Sequence, residues 1–141
     1  MENIKESVFY KIIHGELPSY KIYEDDDFLV ILDRYPSNMG HCLILPKIPA
    51  TDVFELNETS AAGLYPLAKK IANAVKSATS CDGINIIQNN GRAAGQVVFY
   101  FHLHIIPRFF DDDIRINTRQ KDYDTGMFEV MAEKMRNQVC S

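Results

Sequence analysis

Residues 95–108, Gly95-Gln96-Val97-Val98-Phe99-Tyr100-Phe101-His102-Leu103-His104-Ile105-Ile106-Pro107-Arg108, decide how the chain folds and where its chemistry lies. Val, Phe, Tyr and Ile dominate the stretch, so it reads as a β-strand that Pro107 ends. Strand side chains alternate between faces. Val98, Tyr100, His102, His104 and Ile106 therefore share one face. Phe99, Phe101, Leu103 and Ile105 share the other, the expected core face. Two of the four histidines thus stand side by side on one rigid element. Imidazoles pressed against apolar neighbours need hydrogen-bond partners. Two structural histidines would satisfy the pattern. So would a functional pair, which the upstream turn rich in Gly, Asn and Gln favours. Two chemistries fit: a metal pair completed by a third histidine, or nucleophile-and-acid work on a phosphorus centre.

The rest of the chain supplies neighbours for that strand. A helix is expected near 4–14, with Val8, Phe9, Ile12 and Ile13 on one stripe and Gly15 and Pro18 closing it. Tyr20–Glu24, Phe28–Asp33 and His41–Leu45 read as strands, separated by the Asp25-Asp26-Asp27 turn and the Pro36–Gly40 loop, with Pro46 ending the third. Leu64, Leu67, Ala68, Ile71, Val75 and Ala78 follow a 3.6-residue period, which predicts a helix over 58–79. Pro66 conflicts with it locally, because proline lacks the amide a helix needs. Ile84–Gln88 is a fourth strand, Asn89-Asn90-Gly91 turns the chain, and the histidine strand follows as its hairpin neighbour. Met127, Phe128, Met131 and Met135 predict a C-terminal helix whose methionine stripe packs in the core. The sum is an α+β fold: a five-stranded antiparallel sheet with two main helices and a C-terminal one.

At 141 residues and 46% hydrophobic, the chain suits a single domain, 1–141, with a sizeable core. A net charge of -4 argues against nucleic acid or an anionic membrane as the main partner. Asp25–Asp27 and Asp111–Asp113 read as solvated loops. Cys42, Cys81 and Cys140 show no C-x-x-C spacing and are given no catalytic role. With no signal peptide or spanning apolar run, a reduced cytoplasmic protein is expected.

G-Q-V-V-F-Y-F-H-L-H-I-I-P-R resembles the signature of the histidine triad family of nucleotide hydrolases and transferases. F-Y-K-I-I-H-G-E-L-P-S-Y-K-I-Y-E-D, F-L-V-I-L-D, G-H-C-L-I-L-P-K and N-N-G-R-A-A-G-Q match in order and spacing. Together they cover about 8–108, and the tail at 111–141 diverges. The branch that the chain resembles is the bacterial nucleotide phosphoramidase-like one. Its usual His-x-His-x-His has Tyr100 in first place here. Many bacterial members carry a structural zinc on C-x-x-C, a later His and the first triad His. The corresponding positions are Ser7, Tyr10, Pro49 and Tyr100, none a plausible zinc ligand. The resemblance therefore implies a zinc-less variant, with Tyr10 and Tyr100 filling the corner and no metal or cofactor.

The resemblance further implies attack by His102 on the α-phosphorus of a purine nucleoside phosphoramidate or related conjugate. A covalent nucleotidyl-histidine would form, and water would release a nucleoside monophosphate. His104 and His41 would contact phosphate or leaving-group oxygens, and Gln96 would donate to one of them. Asp33 would accept from ribose hydroxyls. Val8, Phe9, Ile12 and Ile31 would sandwich the base, with Arg34 over its edge or toward solvent. Asn89 and Gly95 would shape the phosphate loop. Val97, where a hydroxyl residue is common, would offer only its backbone amide. A homodimer is implied, joined sheet edge to edge or through the long helix. Three other readings stay open: a dinucleoside polyphosphate hydrolase, a nucleotide- or partner-binding module with little turnover, and a metalloenzyme built on His41, His102 and His104.

Overall fold

The computed structural model describes residues 3–139 and 141. Cys140 lies outside the described residues. Five strands form in chain order: β1 (Lys21–Glu24), β2 (Phe28–Leu32), β3 (Cys42–Pro46), β4 (Gly83–Ile87) and β5 (Leu103–Arg108). They pair antiparallel in the order β1-β2-β3-β5-β4. Asp25 makes the first turn, its Oδ1 accepting from the amides of Asp27 and Phe28. The longest helix, α2 (Glu58–Thr79), begins where Asn57 caps the Ser60 amide. It contains Pro66 and ends at Ser80, the one described non-glycine residue in the left-handed region.

Alternation along the central strands feeds two cores. Phe28, Val30, Cys42, Ile44, Leu103 and Ile105 face α2, meeting Leu67, Ala68, Ile71 and Val75. Leu29, Ile31, Leu43 and Leu45 face the other way, against Phe9 and Tyr100. Covered on both faces, β2 and β3 read as continuous apolar runs. His104 is registered opposite Leu43, which places its side chain on the second face, away from α2.

Four expectations need correction. The strand expected from residue 95 begins only at Leu103. Before it, a 3-10 turn (Arg92–Ala94) and Gly95 at φ +87° bend the chain, and Phe101 donates its amide to Ala50 instead of to a ladder. Pro107 does not end the strand but pairs with Ile84 of β4. The β3 ladder reaches only Ile105, so Pro107 has no bond to lose on that side. The N-terminal helix divides: Ile4–Glu6 is a 3-10 turn, Ser7 is extended and caps Phe9, and α1 is Val8–Ile13. The C-terminal helix α3 (Met127–Val139) buries none of its residues, so its methionine stripe is not core.

The second acidic cluster is also more than a solvated loop. Asp112 accepts both Nε and Nη2 of Arg108, the amides of Phe109 and Ile114, and Nδ2 of Asn38.

Candidate active site

Three imidazoles meet where β3 and β5 lie side by side. His102 is buried just before β5, His104 lies within it, and His41 precedes β3. The ring centroids of His102 and His104 are 4.8 Å apart, and those of His41 and His104 5.2 Å. Phe9 of α1 packs against His102 at 4.9 Å.

Their hydrogen-bond partners fix where each proton sits. His102 Nδ1 lies 2.6 Å from the carbonyl of Tyr100, so Nδ1 carries the proton and Nε2 keeps a free lone pair. His41 Nδ1 accepts from the Ser37 amide at 3.0 Å, which puts the His41 proton on Nε2. That N–H points at His104 Nδ1, 2.9 Å away, with Asp33 Oδ2 at 3.3 Å. His104 therefore accepts at Nδ1 and carries its own proton on Nε2. One ring offers a nucleophilic nitrogen, and its neighbour offers an N–H donor.

Burial pushes the pKa of all three rings down, which favours their neutral forms. Desolvation is the largest cause lowering the pKa of His102. It also lowers His41, opposed by the Asp33 carboxylate. His104 falls to about 4, through burial first and then the other two imidazoles.

A cavity of about 850 Å³ opens over His102 and His104. Val8, Phe9, Ile12 and Ile31 form its apolar wall, and Asp33, Arg34, Asn89, Gly95 and Val97 also border it. All nine were expected at a nucleotide site, and the fold gathers them around one space. Leu17, Pro18, Tyr20 and Tyr35 line it too and were not foreseen. Tyr20 and Tyr35 are 72% and 87% exposed, and exposure of an aromatic on a loop leaves no periodic trace in a sequence.

Gln96 is the exception among the expected groups. It is buried outside the cavity lining. Its Nε2 donates to the carbonyls of Thr51 and Val98, and its Oε1 accepts from the Gly91 amide. Both amide hydrogens are committed to backbone, so the side chain braces the 91–98 loop instead of reaching for a phosphate. His41 likewise does not border the cavity; it lies behind it, against the lining residues His104 and Asp33.

The residues at the positions where many bacterial members hold zinc do not suit a metal. Tyr100 is fully buried and donates its hydroxyl to the Pro46 carbonyl at 2.5 Å. Tyr10 packs against the same cluster, Ser7 caps α1, and Pro49 is exposed and offers no ligand atom. Asp33, His41 and His104 place one ligating atom each within 4.8 Å of one another. The Ser37 amide, however, turns the His41 Nε2 into a donor, whereas a metal ligand must present a lone pair.

A family profile described as "HIT domain" matches residues 14–111. Adenylylsulfatase HINT3 of Arabidopsis thaliana is 47% identical over 73% of this chain, although the match spans only 52% of that protein's length. Protein hit of Bacillus subtilis is 39% identical over 80% of this chain and 78% of its own. The crystal structure of SMU.412c from Streptococcus mutans superposes with a TM-score of 0.91 at 39% identity, covering 97% of this chain and 87% of that one.

Proposed function

The chain belongs to the histidine triad (HIT) family, and from that premise we propose that it is a nucleotidyl hydrolase working through a covalent nucleotidyl-histidine. The observation that supports this most is the pairing of a free Nε2 on His102 with the neighbouring N–H of His104 under one cavity. In this reading His102 Nε2 attacks the α-phosphorus, forming an N–P bond. The bond from phosphorus to the leaving group breaks, and its electron pair departs with that group, which takes any proton it needs from solvent. Water then attacks phosphorus, the N–P pair returns to Nε2, and the water's proton passes to solvent. Two displacements replace one harder one.

His104 serves as a neutral hydrogen-bond donor to the phosphoryl or leaving-group oxygens, an electrophile that gives no proton away. Asp33 accepts from the sugar hydroxyls. Phe9, Ile12 and Ile31 hold a purine, with Val8 and Arg34 at its border. The amides near Gly95 and Val97 face the phosphate, with Asn89 supporting that loop and Gln96 positioning it. No metal takes part in the cycle. The protein acts as a cytoplasmic homodimer.

The substrate class is a purine nucleoside monophosphate bearing an amine or other good leaving group. The Arabidopsis relative's printed name makes adenylyl sulfate a second probe beside adenosine 5′-phosphoramidate. His102→Ala should lower hydrolysis of both at least about 1000-fold with the fold intact. Wild-type protein with no turnover of either, but with purine nucleotide bound, would favour a binding module. Turnover surviving in His102→Ala would remove the proposed nucleophile.

A further inference from the structure

The loop at 36–40 ends in Gly40, just before His41, and Gly40 sits at φ +97° with room for no side chain. A Cβ there would meet Thr79 Cγ2 at 2.7 Å. The loop is closed by the His41 amide donating to the Asn38 carbonyl at 3.0 Å. It is then pinned from outside. Asn38 Nδ2 donates to the Pro107 carbonyl at 2.8 Å and to Asp112 Oδ2 at 3.1 Å. Asp112 is in turn gripped by Arg108 at 2.8 and 2.9 Å, with its side chain only 6% exposed.

This anchorage holds the Ser37 amide against His41 Nδ1, and that contact, together with the Asp33 carboxylate 3.3 Å from Nε2, determines the next two protons. With Nδ1 occupied by a donor, His41 has to carry its proton on Nε2, and His104 receives it at Nδ1. His104 is left with an N–H at Nε2. If Ser37 withdrew, His41 could place its proton on Nδ1 and present a lone pair at Nε2. His104 would then turn its own N–H toward His41 and its lone pair toward the substrate. A lone pair facing phosphate oxygens repels them.

We propose that Asn38, anchored by Asp112 and Arg108, is a positioning residue that sets the tautomer of His104 through the Ser37 amide and His41. The start of the C-terminal tail thereby acts on the site without touching the cavity. The catalytic consequence rests on the reading of His102 and His104 given above. The tautomer itself does not.

The test is long-range proton–nitrogen NMR of the histidine rings in the full chain, near pH 7.5 and without substrate. Wild type should show His102 protonated at Nδ1, and His41 and His104 protonated at Nε2. Asn38→Ala should shift His41 and His104 toward mixed tautomers while His102 keeps its pattern. Its kcat should fall about tenfold with KM within about twofold. Asn38→Gln, which keeps the amide donor, should restore part of the wild-type pattern if Asn38→Ala folds poorly. Wild-type tautomers unchanged in a folded Asn38→Ala would overturn the proposal, as would His104 protonated at Nδ1 in the wild type. Should the tautomers respond as described while no variant or wild type hydrolyses a nucleotide, the positioning stands and the catalytic reading fails.

Discussion

Tyr100 and His102 are two residues apart on one apolar stretch, and the carbonyl of the first sets the proton of the second. Tyr100 is itself held by its hydroxyl on Pro46, in a fully buried setting that raises its pKa far above the ordinary phenol value. Tyr100→Phe keeps the ring and deletes that bond, and it should cost about 1–3 kcal/mol in chemical denaturation. A variant as stable as wild type would show that the hydroxyl does not hold this corner. At this scale the sequence was legible where spacing alone decides. His-x-His put both rings on one face of the strand pattern, whereas the nine cavity residues were named by the family resemblance and not by spacing. What lay hidden was every bond between distant residues. The resemblance made Gln96 a phosphate donor, and nothing in its neighbourhood reveals that the carbonyl of Thr51, 45 positions away, accepts from its amide. The 63-residue span between His41 and His104 concealed their contact in the same way.

Elements were legible in proportion to how local their causes are. The helix expected at about 58–79 is found at Glu58–Thr79, because its 3.6-residue period is a local signal. The start of β5 was misread because a buried irregular segment can be as rich in Val, Phe and Tyr as a strand. Residues 95–102 are shaped by Gly95, Gln96 and the Ala50 carbonyl, not by composition. Likewise α3 has the period of a core helix and no core to enter. Pro66 is an exposed conflict inside α2, where it removes one helical amide. Pro66→Ala should raise stability by about 1–2 kcal/mol, the helix gain being partly offset by a more flexible unfolded chain. A loss of stability would mean that Pro66 is needed for the packing of α2.

For the molecule as a whole, the two-sided sheet explains the division of labour. The α2 face is built for stability, and the opposite face leaves a cavity between α1 and the sheet for chemistry. Asp112 ties the tail to this body, and Arg108 foremost holds its carboxyl well below the ordinary range. The folded state therefore binds fewer protons there than the unfolded chain. The stabilisation is complete above the ordinary carboxylate pKa of ~4 and is lost as pH falls below it. Asp112→Asn should flatten the pH dependence of unfolding free energy below about pH 4, and an unchanged slope would remove Asp112 from the account. β4 is an outer strand of the sheet, one of the two surfaces through which the proposed homodimer would form. Sedimentation equilibrium should then give twice the 16.1 kDa chain mass, and a monomer at micromolar concentration would contradict it.

The central claim is the covalent role of His102. Rapid acid-free quenching of wild-type protein during turnover of adenylyl sulfate, followed by peptide mass mapping, tests it directly. One nucleoside monophosphate attached to the peptide holding residue 102, and absent in His102→Ala, is the predicted result. Steady turnover with no adduct at any quench time, or an adduct on another residue that persists in His102→Ala, would contradict it.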